Sequence, residues 1–132
     1  MRADSVIPGS TLEMFAEKSA AFIEQIRGID GVAGCALVSR DGIIAGKYFD
    51  RKFNEPWFGA LSATLLASAE SAGHLLDMKN PSEVLVRAAG SSMMVIGAGE
   101  NFLIAAVLKS TARQEDVFSR INAVAVEIGR VM

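Results

Sequence analysis

Between Pro56 and Leu76 the chain carries one formal charge, on Glu70, in a run dominated by alanine, leucine, serine and glycine. This composition favours a helix, but one that lacks the charged face that water normally solvates. At about 100° per residue, one apolar stripe that can cover a core consists of Phe58, Leu61, Leu65, Ala72 and Leu76. A second, small and weakly polar stripe consists of Ala60, Thr64, Ala67, Ser71 and His74. Because small side chains let another backbone approach closely, we expect the second stripe to meet a protein partner, a second copy of the chain.

A membrane span and a helix buried inside a monomer are the two other interpretations of this run. Its length fits a span of about 20 residues, but its serines, glutamate and histidine oppose insertion, and no basic cluster flanks it. A chain of 132 residues buries only about two thirds of its unfolded surface and seldom covers a helix on every side. We therefore expect a partner-facing helix and no membrane insertion.

The overall composition points the same way. Apolar residues make up 51% of the chain, and such a surplus commonly goes into an obligate interface. The net charge is -2 with scattered basic residues, which argues against nucleic acid as a partner. The single cysteine, Cys35, excludes an internal disulfide. Residues 1–9 lack the apolar core of a signal peptide, so we expect a flexible N-terminus and a cytoplasmic protein.

Periodicity predicts the order of the elements. Ser10 and Glu13 form a capping pattern before a first helix that ends at Gly28. Strands at 32–39 and 43–49 flank an Asp41-Gly42 turn and form a hairpin, which the middle helix follows. Three more strands and a last helix complete the chain, at 83–89, 93–96, 102–108 and 112–131.

The predicted fold is an α/β (α+β) three-layer sandwich with a central five-stranded antiparallel sheet, because strands apolar on both faces need helices above and below. The first and last helices are expected on one face of the sheet and the middle helix on the other. The strand at 83–89 is placed at the sheet edge, where an open strand invites pairing with a second chain.

This order, with Gly31-Val32 opening the first strand, Ser39-Arg40-Asp41-Gly42 in the hairpin and an Ala/Ser/Leu-rich middle helix, resembles the Roadblock family of dynein light chains. It also resembles the prokaryotic relatives of that family, which regulate Ras-like GTPases. The resemblance covers nearly the whole chain and implies one profilin- or longin-like domain over residues 10–132.

The resemblance also implies how the protein works. Roadblock proteins dimerise through the middle helix and the strand after it, in a sheet continuous across two chains. The dimer-interface residues implied here are Ala60, Thr64, Ala67 and Ser71 on the helix and Val84, Val86 and Ala88 on the strand. In the prokaryotic relatives the GTPase docks near the paired helices, which implies contacts at Glu70 and His74. The family has no catalytic machinery, so neither an enzyme nor a cofactor is implied.

The residues themselves offer little chemistry. Gly42 to Lys47 is no phosphate loop, because three residues separate its glycines where four are required. His74 is the only histidine, and we expect it to pair locally with Glu70 rather than bind a metal. Cys35 lies in an apolar strand, where it is expected to be a buried hydrophobe. No nucleophile with a base can be named.

The leading hypothesis is a non-enzymatic homodimeric adaptor or regulator that binds a small Ras-like GTPase. A profilin-like small-molecule sensor is the main alternative, and its cavity would be lined by Phe22, Met93, Phe102 and Val107. A structural subunit of a larger assembly is a third interpretation.

Overall fold

The computed structural model describes residues 9–79 and 82–132, and their elements follow the predicted order. They are α1 (Gly9–Arg27), β1 (Val32–Ser39), β2 (Ile44–Tyr48), α2 (Glu55–Leu75), β3 (Glu83–Ala88), β4 (Ser91–Ala98), β5 (Phe102–Leu108) and α3 (Gln114–Val131). The N-terminal segment predicted to be flexible spans residues 1–9. Residues 1–8 lie outside the described part of the chain, and α1 begins at Gly9. The side chains of the predicted Ser10–Glu13 cap also lie outside the described residues.

The five strands form one antiparallel sheet in the order β2-β1-β5-β4-β3. The bounds of β1 and β5 agree with the prediction, because continuous apolar runs of this kind belong in strands covered on both faces. β3 pairs with β4 along one side, and no described strand pairs with its other side. The predicted edge position of this strand is therefore confirmed.

Helices cover both faces of the sheet and create two cores. On one face α1 and α3 pack their isoleucines, such as Ile26 and Ile121, against strand residues such as Ile104. On the other face Leu66 of α2 packs against alternate strand residues such as Val95. Because side chains alternate between the two faces of a strand, the same central strands supply both cores. The predicted three-layer sandwich is confirmed.

The helix α2 begins where the sequence predicts. Asn54 caps it, since its side-chain oxygen accepts a hydrogen bond from the backbone N–H of Trp57 at 3.1 Å. Pro56 stands in the first turn, where a missing N–H costs nothing. One turn later the helix backbone touches the β1–β2 hairpin. A Cβ atom added to Gly59 would lie 2.5 Å from the carbonyl oxygen of Gly42, whose own φ is +89°.

The face of α2 that meets the sheet differs from the prediction. The buried residues are Gly59, Ser62, Leu66 and Gly73, whereas the predicted core stripe points outward: Leu61 is 53% exposed and Leu76 is 74% exposed. The prediction was wrong because it placed the largest apolar side chains against the sheet. The close approach of α2 to the hairpin instead requires small residues there, and it leaves the leucines outside.

Gly59→Ala is expected to lower the free energy of unfolding by about 1–3 kcal/mol, the range for overpacked interiors. The added methyl group meets backbone rather than a movable side chain, and this cost exceeds the gain of about 0.5–1 kcal/mol that alanine brings to a helix. Urea denaturation measures the difference. Gly28→Ala is the matched control, because its added Cβ lies 3.4 Å from the nearest atom, the carbonyl oxygen of Glu24. Equal stability of the two variants would contradict the close contact.

Candidate interaction surface

Both carboxylates of α2 are turned toward the β1–β2 hairpin. Arg40, in the hairpin turn, donates from Nη1 to the two carboxylate oxygens of Glu70 at 3.2 and 3.3 Å. Lys47 of β2 forms an ion pair with Glu55, in the first turn of the helix. His74 is the remaining titratable side chain of α2. The outward side of the helix therefore presents no formal charge when His74 is neutral.

That outward side is uncharged, and a large apolar side chain is exposed at each of its ends. Trp57 at one end is 62% exposed and Leu75 at the other is 86% exposed. We define the α2 face as Trp57, Ala60, Leu61, Thr64, Leu65, Ala67, Ser71 and Leu75, all of which are exposed. A single exposed leucine is ordinary, but a contiguous exposed apolar face usually marks an interaction site. The predicted interface residues Ala60, Thr64, Ala67 and Ser71 all lie on it.

One polar group on this face is already satisfied within the helix. The Oγ1 atom of Thr64 donates a hydrogen bond to the carbonyl oxygen of Ala60 at 2.9 Å. The Thr64 hydroxyl already donates within its own helix. Burying Thr64 against an apolar partner therefore does not leave this donor without a hydrogen bond. Thr64 therefore adds little polar cost when the face is desolvated.

The two edges of the sheet differ in how well they are protected from pairing. β2 is five residues long, its ladder with β1 is interrupted between Leu37 and Val38, and it carries Lys47. Short strands, bulges and lysines are devices that keep an edge from pairing. β3 has six residues in unbroken register with β4, and its Leu85 is exposed. It carries Glu83 and Arg87 but neither a bulge nor a lysine. β3 is therefore the less protected edge.

The predicted strand residues share one side of β3. Val84 and Val86 lie opposite Val95 and Met93 of β4 in the ladder, and Val84 packs with these residues in the core under α2. Val86 and Ala88 follow on the same side of the strand and are exposed. The α2 face and the open β3 edge thus lie on the same side of the molecule.

The two residues predicted to contact a partner have different surroundings. Glu70 bonds to Arg40 rather than to His74, so the predicted Glu70–His74 pair is wrong. Arg40 also donates from Nη2 to the carbonyl oxygen of Gly99 at 2.8 Å, and it thereby ties the hairpin, α2 and the β4–β5 turn together. His74 is exposed near the end of α2. Sequence reasoning did not identify Arg40, since its partners lie 30 and 59 positions away.

The single cysteine, Cys35, is buried. Burial raises the pKa of the Cys35 thiol to about 11, so the unreactive protonated form prevails at neutral pH. No group of three or more histidine, cysteine or acidic side chains placed to hold a metal occurs among the described residues. Within the same part of the chain, no helix has the length and apolarity needed to cross a membrane.

The predicted sensor cavity does not form from the four residues named for it. Phe22 and Phe102 belong to the core beneath α1 and α3, whereas Met93 packs in the core beneath α2 and Val107 lines a surface pocket on that same side. The sheet separates the two pairs. The prediction failed because it did not assign alternate strand residues to opposite faces.

The fold and the surface define a class of protein. A five-stranded antiparallel sheet between helix layers is the profilin-like architecture. Profilin II of Acanthamoeba castellanii shares it with a TM-score of 0.62 at 13% identity, over 85% of this chain and 97% of profilin.

Within that class the chain belongs to the Roadblock/LC7 domain family, which matches residues 20–109. The fold is similar to that of Myxococcus xanthus MglB, with a TM-score of 0.76 at 12% identity over 96% of this chain and 92% of that one. It is also similar to the gliding protein MglB of Thermus thermophilus, with a TM-score of 0.73 at 19% identity over 95% and 93%. Comparison with curated proteins finds no match.

Arg40→Met is expected to lower the free energy of unfolding by about 1–2 kcal/mol, because Glu70 loses its donor in a partly buried setting and the exposed Gly99 carbonyl loses its donor as well. Arg120→Met is the control, since the Arg120–Asp116 pair lies one helical turn apart on the solvent side of α3, where such pairs contribute about 0.3–0.5 kcal/mol. Thermal denaturation compares the two. An Arg40 variant as stable as the control would show that the hairpin does not hold α2 through this arginine.

Proposed function

We propose that this protein is a non-enzymatic homodimeric adaptor or regulator that binds a small Ras-like GTPase in the cytoplasm. The observation that carries the proposal is the uncharged, exposed α2 face together with the open β3 edge, which has no bulge and no lysine. Membership of the Roadblock/LC7 family supports the same function, since members of this family serve as platforms for GTPases or larger assemblies.

The homodimer follows from the chemistry of the surface. In a two-fold dimer the same patch meets itself, so any formal charge on the patch faces a like charge. Because α2 turns Glu55 and Glu70 toward basic residues of its own hairpin, its outward face meets a copy of itself without that repulsion. Two β3 strands related by the same axis run antiparallel and extend the sheet across both chains, with Val86 and Ala88 at the junction.

The GTPase is expected on the composite surface that two paired α2 helices create. Glu70 is one-third exposed at the flank of α2, and His74 stands on the exposed side four residues later. These two residues are the titratable groups nearest the α2 face, and they supply the charged recognition that the face itself lacks. A protein that works by presenting this surface needs no catalytic residue of its own.

Ala67→Glu is expected to split the dimer, because it places a carboxylate on the α2 face against its own copy in the partner. Like charges brought together at an interface cost several kcal/mol. Ala123→Glu, on the exposed side of α3, is the matched control and should remain dimeric. Sedimentation equilibrium gives the mass, and circular dichroism checks that secondary structure is kept. Thr64→Arg tests the same face with the opposite charge. Dimers in both α2 variants, or a wild-type mass of 14.0 kDa at micromolar concentration, would overturn the homodimer.

His74→Glu is expected to weaken GTPase binding several-fold without changing the mass of the dimer. Affinity capture from the native cytoplasm, in the presence of GDP or of a non-hydrolysable GTP analogue, should retain a Ras-like GTPase on the wild-type protein. Ser119→Glu, exposed on α3, should capture as much as the wild type. Capture of no GTPase by the wild-type dimer would contradict the proposed partner, and equal capture by all three proteins would move the contact away from His74.

A further inference from the structure

A pocket of about 310 Å³ opens on the α2 side of the sheet. It lies at the end of the sheet where β1 begins and β5 ends, so that Ala33 and Val107 form part of its floor. The first turn of α2 reaches it only through Phe58, and the segment between β2 and α2 covers the rest. Known ligand pockets occupy about 300–1,000 Å³, so this one has room for a ligand of about one ring.

Three phenylalanine rings form the wall of the pocket. The centroids of Phe49 and Phe53 are 4.8 Å apart with planes at 89°, and both rings lie 5.5 Å from Phe58 at 80–81°. All three rings are half-buried in the described structure. Edge-to-face packing of this kind is favourable for aromatic rings, and it leaves ring edges and faces available to a further ring. The wall therefore suits a planar aromatic group better than a flexible chain.

The strand beneath the wall is shaped around these rings. A Cβ atom added to Gly34 would lie 2.6 Å from Cδ1 of Phe49, so only glycine lets that ring lie on β1. The ladder between β1 and β5 also shifts register between Val32 and Gly34, which leaves Ala33 without a ladder partner in the described sheet. Bulges of this type are over-represented beside binding sites.

Two residues of opposite charge line the mouth of the pocket, and a lysine follows them in the chain. Arg51 and Asp50 both line it, and Lys52 follows, so this segment carries a net charge of +1. Asp50, Arg51 and Lys52 are exposed, and none of them forms an ion pair within the described residues. Arg51 is the lining residue suited to a carboxylate on an aromatic ligand, because a guanidinium binds both carboxylate oxygens in a fork.

We propose that this pocket binds a small aromatic carboxylate, with the ring against Phe49, Phe53 and Phe58 and the carboxylate on Arg51. The proposal is independent of the dimer and of the GTPase, since it uses none of the residues of the α2 face. It adds a ligand site to a protein whose other surface serves protein partners.

Phenylacetate is the probe that tests the site. In two-dimensional amide NMR of the full chain, phenylacetate should shift the signals of Ala33, Gly34 and Val107 at millimolar concentration. Cyclohexylacetate keeps the charge but lacks the aromatic ring, and 2-phenylethanol keeps the ring but lacks the charge. Both are expected to bind about five- to tenfold more weakly than phenylacetate, as the loss of a charge-assisted bond or of a ring contact predicts.

Arg51→Gln should remove the preference for phenylacetate over 2-phenylethanol, whereas Lys52→Gln should keep it. Both residues are exposed, so neither variant endangers folding. No shift with phenylacetate, or shifts located at the α2 face, would overturn the site. Equal binding of 2-phenylethanol to the wild type would show an apolar cleft for a neutral group and would overturn recognition of the carboxylate. Equal binding of cyclohexylacetate would overturn the choice of an aromatic ligand.

Discussion

The contact between the β1–β2 hairpin and α2 is the constraint on which the rest of the molecule depends. Gly42 and Gly59 bring the two backbones together, and ion pairs flank this contact at Lys47–Glu55 and Arg40–Glu70. A helix with apolar residues all around has no intrinsic preference for which side it buries. Here glycine on one side and two carboxylates beside it determine the orientation.

That orientation has a consequence for the outside of the molecule. Because Gly59 faces the hairpin and both carboxylates of α2 pair with it, large apolar side chains such as Trp57, Leu61 and Leu75 remain on the surface. An apolar helix face of this length is costly in water unless another surface covers it. The same side of the sheet ends in β3, which pairs with β4 without a bulge and carries no lysine. Helix orientation and edge chemistry together mark the surface that we propose for a second copy of the chain.

The parts of the fold that were predictable are those where local pattern suffices. Residues 32–39 and 102–108 are continuous apolar runs bounded by turn residues, and both strands have the predicted bounds. Changes in hydrophobic periodicity along the chain predict the order of helices and strands. That order in turn predicts the sandwich and the edge position of β3.

The orientation of α2 could not be obtained in this way. The leucines of α2 and its small residues both recur at helical spacing, so either side of the helix could face the sheet by pattern alone. Gly42 decides which side is buried, and it lies outside the helix. The predicted interface residues of α2 lie on its exposed side. They are exposed because the contact with the hairpin fixes the orientation of the helix, and not because they form a stripe of small residues. The phenylalanine pocket was missed because Phe49, Phe53 and Phe58 meet only through tertiary packing. Their spacing of four and five residues across a loop was the available signal.

We propose that the α2 face and the β3 edge join two copies of the chain. Hydrogen exchange tests this arrangement, because amide hydrogens on the outer side of β3 have no partner strand in the single chain as described. In the dimer, every amide of β3 should be protected at high protein concentration, and half of them should lose protection on dilution. The outer amides of β2 should exchange rapidly at every concentration. Outer β3 amides that exchange as fast as those of β2 at every concentration would contradict it.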